Sequence, residues 1–274
     1  MQFASFTLIF LFLPITMLLF YLTPNRWKRE VMLGISLLFL CSGCWLAAAV
    51  EILLTALTYG AGLLLEHLRR RKHLSRLVLT GSILLPFGAL LLLRSDWLFS
   101  LKAGWFSGKS LFPLGLAFFT LQSVGYCIDV FRGKIHGEKN WRQLGLYLLF
   151  YPRLIMGPVV SYSVAVKSLC TPVFDIARVG QGLLRFLIGL GKKLILANWL
   201  GMLFQTLCQA DTGTYSLMLV WLGAFAQLMT LYLELSGYAD MAIGLGLCYG
   251  VRLPESLESR CSIRPWRRLL TSGT

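Results

Sequence analysis

Long apolar stretches alternate along the chain with short polar stretches that contain charged residues, proline or glycine. A helix needs roughly 20 predominantly apolar residues to cross the hydrocarbon core of a bilayer, and most of the stretches approach or reach that length. The pattern predicts an all-α polytopic membrane protein with about eight transmembrane or re-entrant helical segments. The predicted segments are residues 3–22, 31–48, 50–65, 77–93, 111–128, 143–160, 180–208 and 215–250.

Residues 31–65 could form either one very long helix or two spans that turn near residues 49–51. Basic residues lie on both sides of this segment, at 26–29 and at 69–76. Two spans place both basic loops on the same face of the membrane, whereas one span places them on opposite faces. Because basic loops concentrate on the cytoplasmic side, two spans are favoured.

Composition and charge agree with a membrane protein. The 274 residues are 57% hydrophobic and 14% charged, with a mean hydropathy of +0.69, which exceeds what a soluble globular domain supports. The net charge of +14 comes largely from short loops between apolar segments, so it indicates membrane orientation and not nucleic-acid binding. The same rule places the loop 132–142 in the cytoplasm and the loop 96–109 outside.

The second half of the chain interrupts its apolar segments with charge and proline. Pro152 and Pro158 prevent an unbroken helix, and Arg153 lies between them. Lys192 and Lys193 follow one another inside a later apolar segment. We interpret them as an interfacial break between two half-spans, and the alternative is a ligand site. Broken helices at membrane depth need neighbouring protein or a wet cavity to satisfy their backbone groups, so this half is predicted to enclose a central funnel.

The segment LYLELSGYADMAIGLG, residues 231–246, has polar side chains inside a predicted span. An ionisable side chain at bilayer depth costs roughly 2.5 to 3.5 kcal/mol, so Glu234 and Asp240 must face protein, water or substrate and not lipid. At helical spacing the polar residues form two neighbouring stripes. The stripes are Gln227, Glu234 and Tyr238, and Tyr232, Ser236 and Asp240. A binding site and structural hydrogen bonds between spans both explain such stripes.

A further polar stripe consists of Gln122, Tyr126 and Asp129, at positions i, i+4 and i+7 of one helix. Polar stripes of membrane helices face the interior of the bundle or a cavity. Alternatively, Tyr126 and Asp129 mark the membrane interface, where tyrosine is enriched and a cytoplasmic loop begins.

Arg153 is a cation in an apolar setting and therefore requires a partner. It could pair with Glu234 or Asp240, or its guanidinium could bind an anionic acyl donor or a phosphate group. Alternatively, its long side chain snorkels to the membrane interface.

Histidine, the usual general base near neutral pH, does not occur within the predicted spans. The three histidines, His67, His73 and His136, lie in or beside basic loops. Zinc-binding, Walker A and nucleophile-elbow spacings are absent from the sequence. The residues themselves therefore predict no catalytic residue, no metal site and no bound cofactor.

Four blocks of sequence are long and specific enough to resemble a known family. They are LFPLGLAFFTLQSVGYCIDVFRG (111–133), NWRQLGLYLLFYPRLIMGPVVSY (140–162), GLGKKLILAN (189–198) and LYLELSGYADMAIGLG (231–246). The sequence resembles the membrane-bound O-acyltransferase family, and most closely its bacterial alginate O-acetyltransferase type. Members of the family transfer acyl groups to hydroxyls: acetyl to exopolysaccharide in the alginate type, and D-alanine towards teichoic acid in a sister branch.

The resemblance implies a multi-pass protein of the bacterial inner membrane that takes part in O-acetylation of an alginate-like exopolysaccharide. It implies acetyl-CoA or an acyl carrier as the donor, and a polysaccharide or an extracytoplasmic acetyltransferase as the partner. The residues expected to line the funnel and to position donor or acceptor are Gln122, Tyr126, Arg153, Glu234, Ser236, Tyr238 and Asp240. A transporter-like protein or a non-catalytic scaffold would also explain polar stripes, although a transporter should show two similar halves.

The last residues depart from the family pattern. We divide the chain into a transmembrane domain at 1–250 and a polar tail at 251–274. The family continues after LPE (253–255) into WRRWH, which contains one of its two functional histidines, whereas this tail contains WRR (266–268) and no histidine. We therefore expect a truncated or frameshifted chain that is inactive alone.

Overall fold

The computed structural model describes residues 7–43, 45–94, 115–154, 157–158, 160–170, 175–209 and 217–253, so nearly all of the predicted polar tail lies outside the described residues. Regular structure in this part of the chain is helical, with no strand. The α-helices are α1 (Leu13–Leu22), α2 (Lys28–Gly43), α3 (Trp45–His67), α4 (Lys72–Arg94), α5 (Leu116–Phe131), α6 (Trp141–Leu149), α7 (Tyr151–Leu154), α8 (Tyr162–Cys170), α9 (Ile176–Gly191), α10 (Asn198–Gln209) and α11 (Leu217–Cys248). Two π-helices, Leu8–Phe12 and Lys192–Ala197, and a 3₁₀ turn, Leu68–Arg70, complete the list.

Within the described residues, four helical runs are long and apolar enough to cross a membrane. They are Ala48–Arg70, Lys72–Leu92, Ile176–Cys208 and Leu217–Cys248, and Ile9–Leu22 and Leu116–Phe131 are shorter apolar helices. Large apolar side chains cover their outer faces; Met218 and Trp221, for example, are 82% and 70% exposed. Such faces are stable against lipid, which confirms the predicted all-α polytopic membrane protein.

Residues 31–65 form two helices that pack against each other, as the distribution of basic loops favoured. α2 ends at Gly43 and α3 begins at Trp45, so the chain is helical through residues 49–51, where the turn was predicted. Glu51, which we placed at the turn, is inside α3 and has 0% of its surface exposed. The predicted turn position was wrong: residues 49–51 continue α3, and the chain buries the Glu51 carboxyl there.

The basic pair in the later span does not break its helix. The run α9, the π-helix Lys192–Ala197 and α10 is continuous, and the whole of Ile176–Cys208 can serve as one span. The interpretation of Lys192 and Lys193 as an interfacial break is therefore wrong. A π-turn takes up the irregularity instead, because it inserts an extra residue into a helix and turns the side chains that follow it.

The segment with two prolines is broken, as predicted. α6 ends at Leu149, and the single turn α7 begins at Tyr151, immediately before Pro152. Phe150 between them is extended, with φ −60° and ψ 108°. This break lets residues 141–154 return into the bundle interior, where all four residues of α7 are buried.

Two groups of helices meet at a buried tyrosine. α11 packs against α9, the π-helix and α10, whereas α3 packs against α2, α4 and α5. Tyr249, just after α11, hydrogen-bonds the Thr16 hydroxyl at 2.9 Å and accepts from the Tyr151 hydroxyl at 3.0 Å. These bonds join the end of α11 to α1 and to α7, and so fix the position of the broken segment relative to the long spans.

Candidate functional site

The polar residues of α11 meet basic residues of α9 and the π-helix. Asp240 accepts from the Lys192 ammonium at 2.6 Å and from the Arg185 Nε at 3.2 Å, one bond to each carboxylate oxygen. Lys192 also donates to the Ser236 hydroxyl at 3.2 Å. We call Arg185, Lys192, Ser236 and Asp240 the α9–α11 cluster.

The neighbouring lysine contacts the other face of α11. Lys193 Nζ hydrogen-bonds the Tyr238 hydroxyl and lies 3.8 Å from the centre of its ring. Glu234 is half-buried one turn earlier on the same helix. Tyr238 and Glu234 therefore flank the α9–α11 cluster, as the two stripes predicted.

Glycines bring the two helices close enough for these contacts. A Cβ on Gly189 would lie 2.6 Å from the Gly237 carbonyl oxygen, and a Cβ on Gly244 would lie 2.6 Å from the Gly182 carbonyl oxygen. Gly182 faces Gly244 and Gly189 faces Gly237, so the helices run antiparallel with their backbones in contact. Small residues at membrane helix interfaces allow this close approach.

The cluster lies well inside the long run Ile176–Cys208. At 1.5 Å per residue, Arg185 and Lys192 are roughly 14 Å and 24 Å from its first residue. Their side chains are 26% and 32% exposed, and that of Asp240 is 16% exposed. Charged groups with open surface at this depth face a polar cavity or another protein segment and not lipid.

Arg153 lies in a different environment from the one predicted. It is 1% exposed, which rules out snorkelling. Its guanidinium stacks 4.8 Å from the centre of the Tyr147 ring and donates long bonds to the Tyr147 and Val160 carbonyls, at 3.4 and 3.5 Å. Within the described residues it pairs with no carboxylate, and its Nε has no hydrogen-bond partner.

Tyr126 belongs to a cluster of tyrosines that reaches Arg153. Its hydroxyl accepts from the Glu138 backbone N–H at 2.8 Å, and its ring packs edge-on against Tyr162 at 5.1 Å. Tyr162 in turn packs edge-on against Tyr147 at 5.0 Å and donates to the Glu138 carboxylate at 2.5 Å. The loop 132–140 is thereby tied onto the buried tyrosines.

The remaining residues of the first stripe have separate surroundings. Gln122 is 2% exposed, and its Oε1 has no hydrogen-bond partner in the described part of the chain. Asp129 lies 3.9 Å from Lys134 in the following loop, with 21% of its side chain exposed, which agrees with a residue at the start of a loop.

The structure thus groups Ser236, Tyr238 and Asp240 with basic residues, and Tyr126 and Arg153 with tyrosines. Sequence reasoning missed Arg185, and it set Lys192 aside. Arg185, Gly189 and Lys192 have helical spacing i, i+4 and i+7, which was the available signal that both cations share a face with a close-packing glycine. Among the described residues, no three potential metal ligands come together.

Comparison with known proteins agrees with the resemblance seen in the sequence, although no family model matches the chain. The chain is 30% identical over 279 residues to a probable alginate O-acetylase of Pseudomonas fluorescens, covering 98% of this chain and 54% of that protein. It is 31% identical over 289 residues to the probable alginate O-acetylase of Pseudomonas putida, covering 98% of this chain and 58% of that protein.

A relative named for a different activity is also similar to the chain. The chain is 28% identical over 179 residues to a peptidoglycan O-acetyltransferase of Helicobacter pylori, covering 54% of this chain and 33% of that protein. The chain spans about half the length of the alginate O-acetylases it matches. The chain is therefore similar to the alginate O-acetylases over 98% of its length, which confirms the resemblance seen in its sequence.

Proposed function

We propose that this chain takes part in the O-acetylation of an extracytoplasmic polysaccharide by passing an acyl group through the membrane. The observation that carries the proposal is the similarity to alginate O-acetylases over 98% of the chain. The α9–α11 cluster supports it, because partly exposed charges deep in a span need a polar route or ligand beside them.

The donor, the partner and the location follow as parts of the same proposal. The donor is acetyl-CoA or an acyl carrier on the cytoplasmic side, and the membrane is the bacterial inner membrane. The acceptor is a polysaccharide or an extracytoplasmic acetyltransferase that passes the acetyl group on. The polysaccharide named for the matched relatives is alginate, and an alginate-like polymer is the first acceptor to examine.

The proposed roles divide between the two groups of residues. Arg153, Tyr126 and Gln122 line the part of the route that the broken segment α6–α7 encloses, and Arg153 positions an anionic portion of donor or acceptor. Ser236, Tyr238, Asp240 and Glu234 line the part along α11. The inactivity expected of the chain alone concerns the complete transfer to polysaccharide and stays a prediction.

Deletion of the chromosomal gene tests the function without assuming the length of the natural product. We expect the deletion to remove ester-linked acetate from the extracellular polysaccharide, measured by NMR of the purified polymer, and reintroduction of the gene to restore it. Ester-linked D-alanine on cell-envelope polymers is measured in parallel. Unchanged acetate after deletion contradicts the proposal, and loss of D-alanine ester alone assigns the chain to D-alanyl transfer instead.

A further inference from the structure

A small pocket opens between α2, α6 and α8, and none of the residues that line it belongs to the α9–α11 cluster. Its floor is apolar and consists of Leu33, Leu146 and Leu169, of which the last two are 3% and 1% exposed. Its rim is polar and consists of Arg29, Glu30, Asn140, Arg142 and Gln143. The open space of about 40 Å³ exceeds the roughly 10 to 15 Å³ that one water needs, so the pocket has room for several waters or for one phosphate group.

The rim has one more positive than negative charge. Glu30 Oε1 accepts from Arg142 Nη1 at 3.0 Å, so this carboxylate balances Arg142. Arg29 is exposed, and among the described residues no carboxylate lies within ion-pair distance of its guanidinium. The side-chain amides of Asn140 and Gln143 can donate further hydrogen bonds. The rim therefore suits a group with one negative charge and several acceptor oxygens, which describes a phosphodiester.

Exposed tryptophans indicate that this rim lies at the boundary between membrane and water. Trp27, two residues before Arg29, is 61% exposed. Trp141, immediately before Arg142, is 59% exposed, and its ring lies 5.8 Å from the Arg142 guanidinium. Tryptophan is enriched at the level of the lipid headgroups, and the basic loops next to these residues predict the cytoplasmic side. The two arginines are therefore expected at the depth of the lipid phosphates.

The floor lies one helical turn deeper than the rim. Leu33 follows Arg29 by four residues in α2, and Leu146 follows Arg142 by four residues in α6. Residues four apart share a face of a helix and lie roughly 6 Å apart along its axis. Because both helices begin at the rim, the leucines lie towards the membrane interior. The pocket thus combines a cation at headgroup depth with an apolar surface below it, the two parts that a phospholipid requires.

We propose that the pocket binds an anionic phospholipid, with the lipid phosphate at Arg29 and the first carbons of an acyl chain over the leucines. Basic pockets between membrane helices on the cytoplasmic side bind anionic headgroups. Phosphatidylglycerol fits the rim, because its headgroup has a single negative charge and hydroxyls that the side-chain amides can bind. The inference goes beyond the proposed function and does not depend on which group the chain transfers.

A bound lipid would connect two helices that are far apart in the sequence. Glu30 of α2 and Arg142 of α6 are separated by 112 residues, and α6 leads directly into the break at Phe150 before α7. A lipid between α2 and α6 therefore stabilises the position of α6 and, through it, of the broken segment. Because such a site exists only in the folded chain, lipid binding raises the free energy of unfolding.

Melting temperatures in detergent with added lipid test the site. The purified natural chain is titrated with dioleoylphosphatidylglycerol and, separately, with dioleoylphosphatidylcholine, which has the same acyl chains and a headgroup of zero net charge. We expect phosphatidylglycerol to raise the melting temperature at about tenfold lower concentration than phosphatidylcholine, because the choline cation is repelled by the arginines. Equal effects of the two lipids overturn the inference.

Two arginine variants separate the pocket from general attraction by the basic loops. Arg29→Gln removes the cation at the rim, and the phosphatidylglycerol concentration for half of the temperature rise should increase about tenfold, the size of one lost charge-assisted hydrogen bond. Arg26→Gln removes the same charge three residues earlier, from an exposed side chain that does not line the pocket, and should respond like the wild type. Melting temperatures without added lipid control for folding. Equal responses of Arg29→Gln and Arg26→Gln to phosphatidylglycerol overturn the site.

Competition distinguishes a lipid from a soluble phosphate compound. Inorganic phosphate and acetyl-CoA, which carries phosphate groups, are each added at millimolar concentration to the chain with bound phosphatidylglycerol, and retention of the lipid is measured by native mass spectrometry. We expect the lipid to stay bound, because neither compound covers the apolar floor with an acyl chain of comparable length. Displacement of the lipid by either compound overturns the lipid as the occupant and assigns Arg29 to a soluble phosphate ligand.

Discussion

Arg153 is the residue whose environment contrasts most with its charge. Its guanidinium is 1% exposed and has a ring and two distant carbonyls as neighbours. A cation–π contact contributes about 0.5 to 2 kcal/mol, and bonds near 3.5 Å are weak, so these contacts compensate only part of the cost of removing a charge from water. The proposed contact of Arg153 with an anionic ligand would compensate a further part of that cost.

Arg153→Met tests whether the charge of Arg153 serves a ligand or the fold, because methionine keeps much of the side-chain bulk and removes the charge. Because the guanidinium lacks a carboxylate partner in the described residues, we expect an unchanged or higher melting temperature in detergent, together with at least a tenfold loss of polysaccharide acetate in cells. Lys134→Met is the matched control. Lys134 lies 3.9 Å from Asp129, and the Lys134 side chain is 63% exposed, so this variant should change neither the melting temperature nor the acetate content measurably. Unfolding of Arg153→Met would assign the arginine a structural role.

Tyr126 ties the loop 132–140 to the buried tyrosines through one hydroxyl. Tyr126→Phe leaves the Glu138 N–H without its acceptor, and we expect a loss of about 1 to 3 kcal/mol in the stability of the loop contact. Limited proteolysis of the loop measures the effect as faster cleavage. Tyr59→Phe is the control, because the Tyr59 hydroxyl donates to the Lys139 carbonyl in an exposed position and its loss costs less. Equal cleavage of both variants would contradict the prediction.

The spacing of residues within one helix predicted which side chains share a face of that helix, but not which residues of other helices they contact. The spacing of Ser236 and Asp240 correctly placed them on one stripe of α11, and both now face the same lysine. The spacing could not identify α9 as the opposite helix, since that depends on where Gly189 and Gly237 meet. Arg153 shows the same limit: the sequence indicated its need for a partner, and only the fold shows a tyrosine ring in the place of a carboxylate.

At the scale of elements, glycine pairs determine how closely α9 and α11 pack. Gly189→Ala should force the backbones apart, because its Cβ would meet the Gly237 oxygen at 2.6 Å and backbone cannot move aside locally. We expect a destabilisation of about 1 to 3 kcal/mol, seen as a lower melting temperature in detergent. Gly191→Ala has open space within 4 Å and should be neutral or stabilising, since alanine favours helix. Equal melting temperatures would refute the close contact.

Two element boundaries show why the sequence located some breaks and misplaced others. The prolines at 152 and 158 prevent helix continuation by their own geometry, so the break near α7 was predictable. Charged residues carry no such constraint: Glu51 is buried within α3, and Lys192 begins a π-turn inside a continuous run. The partner of Lys192 is Asp240, 48 residues further along the chain, and the pattern of one apolar segment does not reveal such a partner.

At the scale of the whole molecule, the positions of the basic loops predict the orientation of the chain in the membrane. Two helices lie between the loops at 26–29 and 69–76, which agrees with the prediction that both loops face the cytoplasm. α4 then carries the chain out, and α5 returns it to the loop at 132–142. On this prediction the loop at 132–142 lies on the donor side of the proposed route.

Cysteine labelling checks this orientation. The seven natural cysteines are replaced by serine, and single cysteines are introduced as Ser107→Cys and Lys134→Cys. We expect a membrane-impermeant maleimide to label Ser107→Cys in intact spheroplasts and Lys134→Cys only after permeabilisation, because basic loops remain in the cytoplasm. Each variant labelled after denaturation serves as its own control for thiol reactivity. Labelling of Lys134→Cys in intact spheroplasts would invert the assignment, and the acyl donor would then have to enter from the opposite end of α11.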